Sequence, residues 1–145
     1  MEKNNRVPVS SFTFDGYRVH KSSLTLSEAK MSQKMQFEIN PSGEFLEDNR
    51  FELILDVHVN DEQHFFDVSI EIHGFFKYQT TDMGNLANFI CINAPAIMFP
   101  YIRAYVSTLT SLSGIPTITL PTLNMESVGK QLREKIENKL KNENL

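Results

Sequence analysis

Hydrophobic and polar residues alternate through the first half of the chain, and a period of two means strands with one buried face. In residues 51–59, Phe51, Leu53, Leu55, Val57 and Val59 fall on one side and Glu52, Asp56 and His58 on the other, with Ile54 the exception. After a polar turn at 60–63 the pattern resumes in the opposite parity. Phe66, Val68, Ile70, Ile72, Phe76 and Tyr78 point one way, and Asp67, Ser69, Glu71, His73 and Lys77 the other. So short a turn makes the two strands antiparallel neighbours. Met35, Phe37 and Ile39 against Lys34, Gln36 and Glu38 predict a third strand, closed by a turn at Asn40-Pro41-Ser42-Gly43. A fourth, less regular strand is expected over residues 12–26, with Gly16 marking a bulge or bend.

The second half changes period. Ile97, Met98, Tyr101, Ile102, Tyr105, Leu109 and Leu112 recur at three- and four-residue steps, which predicts a helix ending at Gly114, with Pro100 in its first turn or at a kink. Residues 116–125, PTITLPTLNM, are too rich in proline for a helix and read as an extended apolar strap. Val128, Leu132, Ile136 and Leu140 then repeat every four residues among charges, a narrow-striped terminal helix. The fold expected is α+β: a four-stranded antiparallel sheet packed with two helices. A single domain over 1–145 follows from the length, with 1–10 flexible and 126–145 a helix and tail.

Charge sharpens the picture. The net charge is −4, yet residues 83–125 carry a single formal charge, Arg103. Phe99 and Val106 lie off the main stripe of the long helix, so it is apolar nearly all round and needs cover on several sides. A chain this short has little cover left, so a second copy or a bound apolar client is expected. The acidic first half argues against nucleic-acid binding. MEKNNRVPVSSF (1–12) has no apolar h-region, and prolines at 95, 100, 116 and 121 interrupt the best membrane-span candidate. A lone Cys91 fits a reducing compartment, so a cytoplasmic protein without a membrane partner is expected.

The segment APAIMFPYIRAYVSTLTSLSGIPTITLPTLNM (94–125) resembles the SecB family of export chaperones, through Pro95, Phe99, Pro100, Tyr101, Arg103, Pro116, Leu120, Pro121 and Asn124. Gly74-Phe75-Phe76 is similar to the family's strand ending. The resemblance implies a homotetramer, a dimer of dimers, with Phe99, Tyr101, Ile102, Arg103, Tyr105, Val106 and Leu109 of the long helix at the interface. It also implies an apolar groove for unfolded polypeptide, lined by Phe66, Val68, Ile70, Ile72 and Phe76 of the long strand. Ile115, Ile118, Leu120 and Leu123 of the strap, and Tyr17 and Val19 of the first strand, would complete it. No ATP cycle, cofactor or catalytic residue is implied, and the clients would be unfolded preproteins or an antitoxin. Acidic positions that the family presents to its motor SecA correspond to Ser22, Leu26 and Ser69, and the tail 130–142 is slightly basic. Those departures count against SecA docking; an ATP-independent holdase for export remains the expected function, with a chaperone dedicated to an antitoxin as one alternative and a non-chaperone oligomeric scaffold, its apolar segment used up by self-association, as the other.

Other candidate chemistry is thin. Glu38, Glu52, Asp56, Asp67 and Glu71 gather on the polar sheet face, either a docking platform for a basic partner or a solvated face. Asp56, His58, Asp61, His64 and Asp67 crowd one hairpin, but His58 and His64 point to opposite faces, so no metal site is assigned. Cys91 has no base nearby in sequence and reads as a small buried residue. Arg103 reads as pairing a carboxylate or capping carbonyls across an interface.

Overall fold

A computed structural model describes residues 12–79 and 83–143; the expected flexible segment 1–10 lies outside them. Strands β1 (Phe12–Leu26), β2 (Met35–Leu46), β3 (Arg50–Asp61) and β4 (Phe66–Tyr78) precede helices α1 (Met83–Leu112) and α2 (Glu126–Glu143). The strands form one antiparallel sheet in the order β1-β4-β3-β2. The two most regularly alternating strands are central, and their apolar faces meet in register, Leu55 opposite Ile72 and Val57 opposite Ile70. All of Phe51, Leu53, Leu55, Val57 and Val59 are buried with their β4 counterparts.

Two turns differ from expectation. Asn40-Pro41-Ser42-Gly43 is no turn: β2 runs straight through it, with Pro41 opposite Leu55 and Gly43 opposite Leu53. Proline is tolerated because β2 pairs on one side only, where a missing amide costs no ladder bond. Gly43 is required by packing, since a Cβ there would run into the Phe51 ring, with Leu132 of α2 close behind. The chain reverses instead at 47–49, where Asp48 and Asn49 take positive φ (62° and 56°), a conformation these residue types accept. The β3–β4 turn centres on His64 (φ 55°). There the buried Asp61 carboxylate accepts the amides of Ser32 (2.9 Å) and Phe66 (3.1 Å) and joins the β1–β2 connection to the hairpin.

α1 starts well before the expected stripe and includes Pro95 and Pro100. By length and composition its segment Asn85–Leu112 would suffice to cross a membrane, contrary to the expectation that prolines interrupt it. Here it packs one face on the protein instead. That face is Leu86, Ile90, Ala94, Met98, Ile102, Val106 and Thr110, all buried at four-residue steps. Met98 meets the sheet where Gly74 lets it in; a Cβ at Gly74 would sit 2.6 Å from the Met98 sulfur. Tyr101 and Leu112, expected on the stripe, point outward, because a helix apolar nearly all round has more than one face able to pack.

After Gly114 (φ 81°) the strap folds back along α1. Thr110 Oγ1 donates to Val106 O (2.9 Å) and accepts the Ile118 amide (2.9 Å), while Ser107 Oγ donates to Ile118 O (3.0 Å). Alternation along the strap buries Ile118 and Leu120 and exposes Thr117 and Thr119. Asn124 Oδ1 accepts the Glu126 amide (2.9 Å) and caps α2. α2 buries Val128, Leu132 and Ile136, leaves Leu140 exposed, and donates from Lys135 Nζ to Pro41 O (2.6 Å) on the β2 edge.

Candidate functional site

The sheet's inner face is closed within the subunit. Phe66, Val68, Ile70, Ile72 and Phe76, expected to line a groove, are 0–3% exposed, and Ile118 and Leu120 of the strap are also buried. This corrects the expected groove: the strap and helices already cover that face, so these residues form the core. Of the remaining expected lining, Tyr17 is exposed, Val19 and Ile115 are half-buried, and Leu123 lines an open cleft.

That cleft, about 400 Å³, lies between the open β2 edge and the strap–α2 junction. Phe37, Ile39, Leu123, Met125 and Val128 supply its apolar surface, and Glu38, Asn40, Asn124 and Gln131 its rim. Parity explains Leu123: Pro121 ends the inward alternation of Ile118 and Leu120, and the chain then turns towards β2. Phe37 and Ile39 read from the sequence as ordinary strand residues, and only the edge position of β2 leaves them half-open.

A second apolar surface is the outward side of α1. Ile92 is 67% and Leu112 82% exposed, Phe89 and Tyr101 are partly exposed, and Phe99, Tyr105 and Leu109 are half-buried. Two residues expected at an interface, Ile102 and Val106, lie instead on the inward face of α1 and are fully buried, which corrects that assignment. Arg103 is exposed, and among the described residues no carboxylate pairs with it. The Tyr101 ring meets that of Tyr17 at 4.7 Å between centroids, tilted by 38°, linking this surface to β1.

On the outer sheet face the acidic residues are gathered but not all free. His64 Nδ1 lies 2.9 Å from Asp67, and His73 holds both Glu52 (Nδ1 to Oε1, 2.6 Å) and Glu71 (Nε2 to Oε2, 2.9 Å). Glu38 and Asp56 are exposed. Burial would lower the His73 pKa, but the two carboxylates outweigh it and raise it. The hydrogen bond from His73 lowers Glu71. Burial would likewise raise Asp61, yet the Ser32 and Phe66 amides hold it below its ordinary value. Burial raises the Cys91 thiol despite nearby Arg133, the opposite of what a nucleophile requires. The residues missed from the sequence are the His20–His73 pair: their rings stack at 3.5 Å and 5°, and His20 joins Glu71 and His73 through an irregularity in β1.

The description preprotein translocase subunit SecB matches residues 17–135, from β1 into α2. An uncharacterised protein of Methanocaldococcus jannaschii is 30% identical over 146 residues, 94% of each chain. The protein-export protein SecB of Dechloromonas aromatica is 30% identical over 101 residues, 68% of this chain and 66% of its own length. That of Xylella fastidiosa (strain Temecula1) is 27% identical over 109 residues, 72% of this chain and 63% of its own. The chain thus spans a little under two thirds of the length of these two SecB relatives. Among solved structures, a SecB-like chaperone of Mycobacterium tuberculosis in complex with an antitoxin peptide superposes with a TM-score of 0.67 at 19% identity, covering 78% of this chain and 91% of that one. At that identity the likeness speaks for the fold: a four-stranded antiparallel sheet with two helices. With the matched region taking in all four strands, the long proline-bearing helix and the strap, the chain belongs to the SecB family.

Proposed function

We infer that this protein is an ATP-independent holdase chaperone, which binds non-native polypeptide through accessible apolar surface and serves protein export. The observation that carries the reading is the cleft beside the edge strand β2, where Phe37, Ile39, Leu123 and Met125 stay accessible among polar groups. An extended client segment laid along β2 would gain main-chain hydrogen bonds on its unpaired side. Its side chains would drop against Phe37, Ile39 and Leu123, with Met125 adapting to their shape. Burial contributes about 25 cal/mol per Å² of apolar area, so a few docked side chains give useful, sequence-tolerant affinity. Repeated weak contacts along one client then add through effective concentration. The outward face of α1 suits association with further copies into a tetramer, with Phe99, Tyr101, Tyr105 and Leu109 at the contact. A cytoplasmic setting is consistent with the single buried Cys91.

The purified protein should suppress aggregation of a chemically unfolded, unrelated protein at near-stoichiometric ratio without nucleotide. Leu123→Asp should lose that protection while keeping wild-type circular dichroism and oligomeric state. No protection by the wild type would overturn the holdase reading, and full protection by Leu123→Asp would move the client elsewhere. A second reading, a chaperone dedicated to an antitoxin, draws on the uncharged Ser22, Leu26 and Ser69 where SecA docking would need carboxylates; Ser69 is also hydrogen-bonded to His58. Titration calorimetry against SecA separates the two, since heat at micromolar concentrations would exclude the dedicated role.

A further inference from the structure

The outer face of the sheet carries a constellation unrelated to apolar holding. β1 is irregular between Val19 and Lys21: Val19 pairs with Ile72 and Lys21 with Glu71, leaving His20 as the extra residue. The bulge lays His20 over β4, where Glu71 and His73, two apart on one strand, share the same face. His20 Nδ1, a Glu71 carboxylate oxygen and a His73 ring nitrogen all lie within 4.8 Å of one another. Behind His73, Glu52 of β3 accepts from Nδ1 at 2.6 Å.

We propose that His20, Glu71 and His73 bind a divalent transition-metal ion of the zinc class, with Glu52 orienting His73. Ligands about 2.0–2.1 Å from a tetrahedral ion stand roughly 3.4 Å from one another. Here His73 Nε2 is 2.9 Å and His20 Nδ1 3.9 Å from Glu71 Oε2, so the donors are gathered but the shell closes only with a side-chain rotation. His20 must rotate out of its stack with His73, because one ion cannot lie in two parallel ring planes; its side chain is 41% exposed and free to turn. Two imidazoles and one carboxylate match zinc far better than calcium or magnesium, which take oxygen shells. The fourth position faces solvent and takes water.

Glu52 makes the arrangement more than a surface accident. A carboxylate on the far nitrogen of a ligating histidine fixes the tautomer, so that Nε2 offers its lone pair to the ion. Both His73 ring nitrogens are already engaged by carboxylates, Nδ1 by Glu52 and Nε2 by Glu71, so the ring is held in place from two sides. The other groups facing the site are Arg18 and Lys21 on β1, Asp56 on β3 opposite Glu71, and Ile54 opposite His73. The two cations weaken metal binding and Asp56 favours it. Bound metal would pin the edge strand β1, at its bulge, to β4 and β3.

The test uses the full chain stripped with chelator and titrated with Zn²⁺ alone by calorimetry, and with Co²⁺ by its visible absorption. One equivalent per chain with a tetrahedral Co²⁺ band is expected at pH 7.5, with a rise in melting temperature. His20→Gln, on an exposed side chain that leaves folding intact, should weaken binding by about tenfold or more, and Glu52→Gln by about 10–100-fold. His64→Gln and Cys91→Ser should change nothing. Absence of a Co²⁺ band, or binding indifferent to His20→Gln, would overturn the proposal whether or not the protein holds clients.

Discussion

Gly129→Ala tests the packing that shapes the cleft proposed to hold clients. Pro95 has no amide hydrogen, so the Cys91 carbonyl four residues earlier in α1 lacks its helical donor. α2 crosses at that point, and a Cβ built on Gly129 would overlap the Cys91 oxygen, well inside the 3.0 Å that real Cβ atoms respect. Two effects of opposite sign then compete. Alanine in a helix interior is favoured over glycine by about 1 kcal/mol. Overpacking costs about 1–3 kcal/mol, at the upper end here because the obstacle is main chain and cannot swing aside. The clash should win, giving a net loss of about 1–2 kcal/mol. With a urea slope of about 2 kcal/mol per molar for a domain of this size, the midpoint should fall by about 0.5–1 M. Asn138→Ala, exposed on α2, supplies the propensity gain without the clash and should raise the midpoint slightly. Both are read by circular dichroism at one fixed protomer concentration, since association contributes to stability. The Gly129 variant should also weaken client holding, because the displaced helix carries Ser127, Val128 and Gln131 of the cleft wall. A midpoint that rises as it does for Asn138→Ala would refute the close α1–α2 approach, and with it the shape assigned to the cleft.

Asp61→Asn replaces a buried carboxylate that accepts two amides and should cost about 2–4 kcal/mol at pH 7 in urea unfolding. Because the folded pKa is lowered, that stability is present above the unfolded value near 4 and is lost as pH falls through the folded one, so the gap to wild type should narrow in acid. Thr110→Val strands the Ile118 amide and should cost about 1–3 kcal/mol, seen as faster hydrogen exchange along the strap than along β3. Ile102→Ala opens a core cavity and should cost about 2–5 kcal/mol, whereas Leu112→Ala should leave folding within about 0.5 kcal/mol and weaken association in sedimentation velocity.

The strands were readable because alternation in β3 and β4 maps directly onto an inner and an outer sheet face. β2 was truncated on paper by Asn40-Pro41-Ser42-Gly43, a turn signature everywhere except on a sheet edge beneath a helix, where proline loses no partner and glycine makes room for Phe51 and Leu132. α1 was harder for the opposite reason: too many apolar residues left the choice of inner face open. The choice is made by small groups, Ala94 and the hydroxyl of Thr110, and by Gly74 across from Met98, none of which stands out in a hydrophobic pattern. In the strap, parity sends Ile118 and Leu120 into the core and leaves Leu123 accessible. Glu71 and His73 share a face by spacing alone; their meeting with His20 depends on a register set by two β1 irregularities, which no spacing rule delivers.

The charge-poor stretch from residue 83 to 125 therefore serves three surfaces rather than one. Its inward side completes the core through Met98, Ile102 and Val106; its strap end opens onto the cleft through Leu123 and Met125; its outward helix side presents Ile92, Tyr101 and Leu112. Ile92 and Met125 line one shared pocket, whereas Leu112 lines neither that pocket nor the cleft, so Leu112 and Leu123 are the positions at which the proposed assembly and client holding can be tested apart. A substitution at Leu112 should alter the particle's mass before its holding of an unfolded chain, and Leu123→Asp the reverse. If the two properties moved together in both variants, the client would have to sit on the surface that the subunits use to associate.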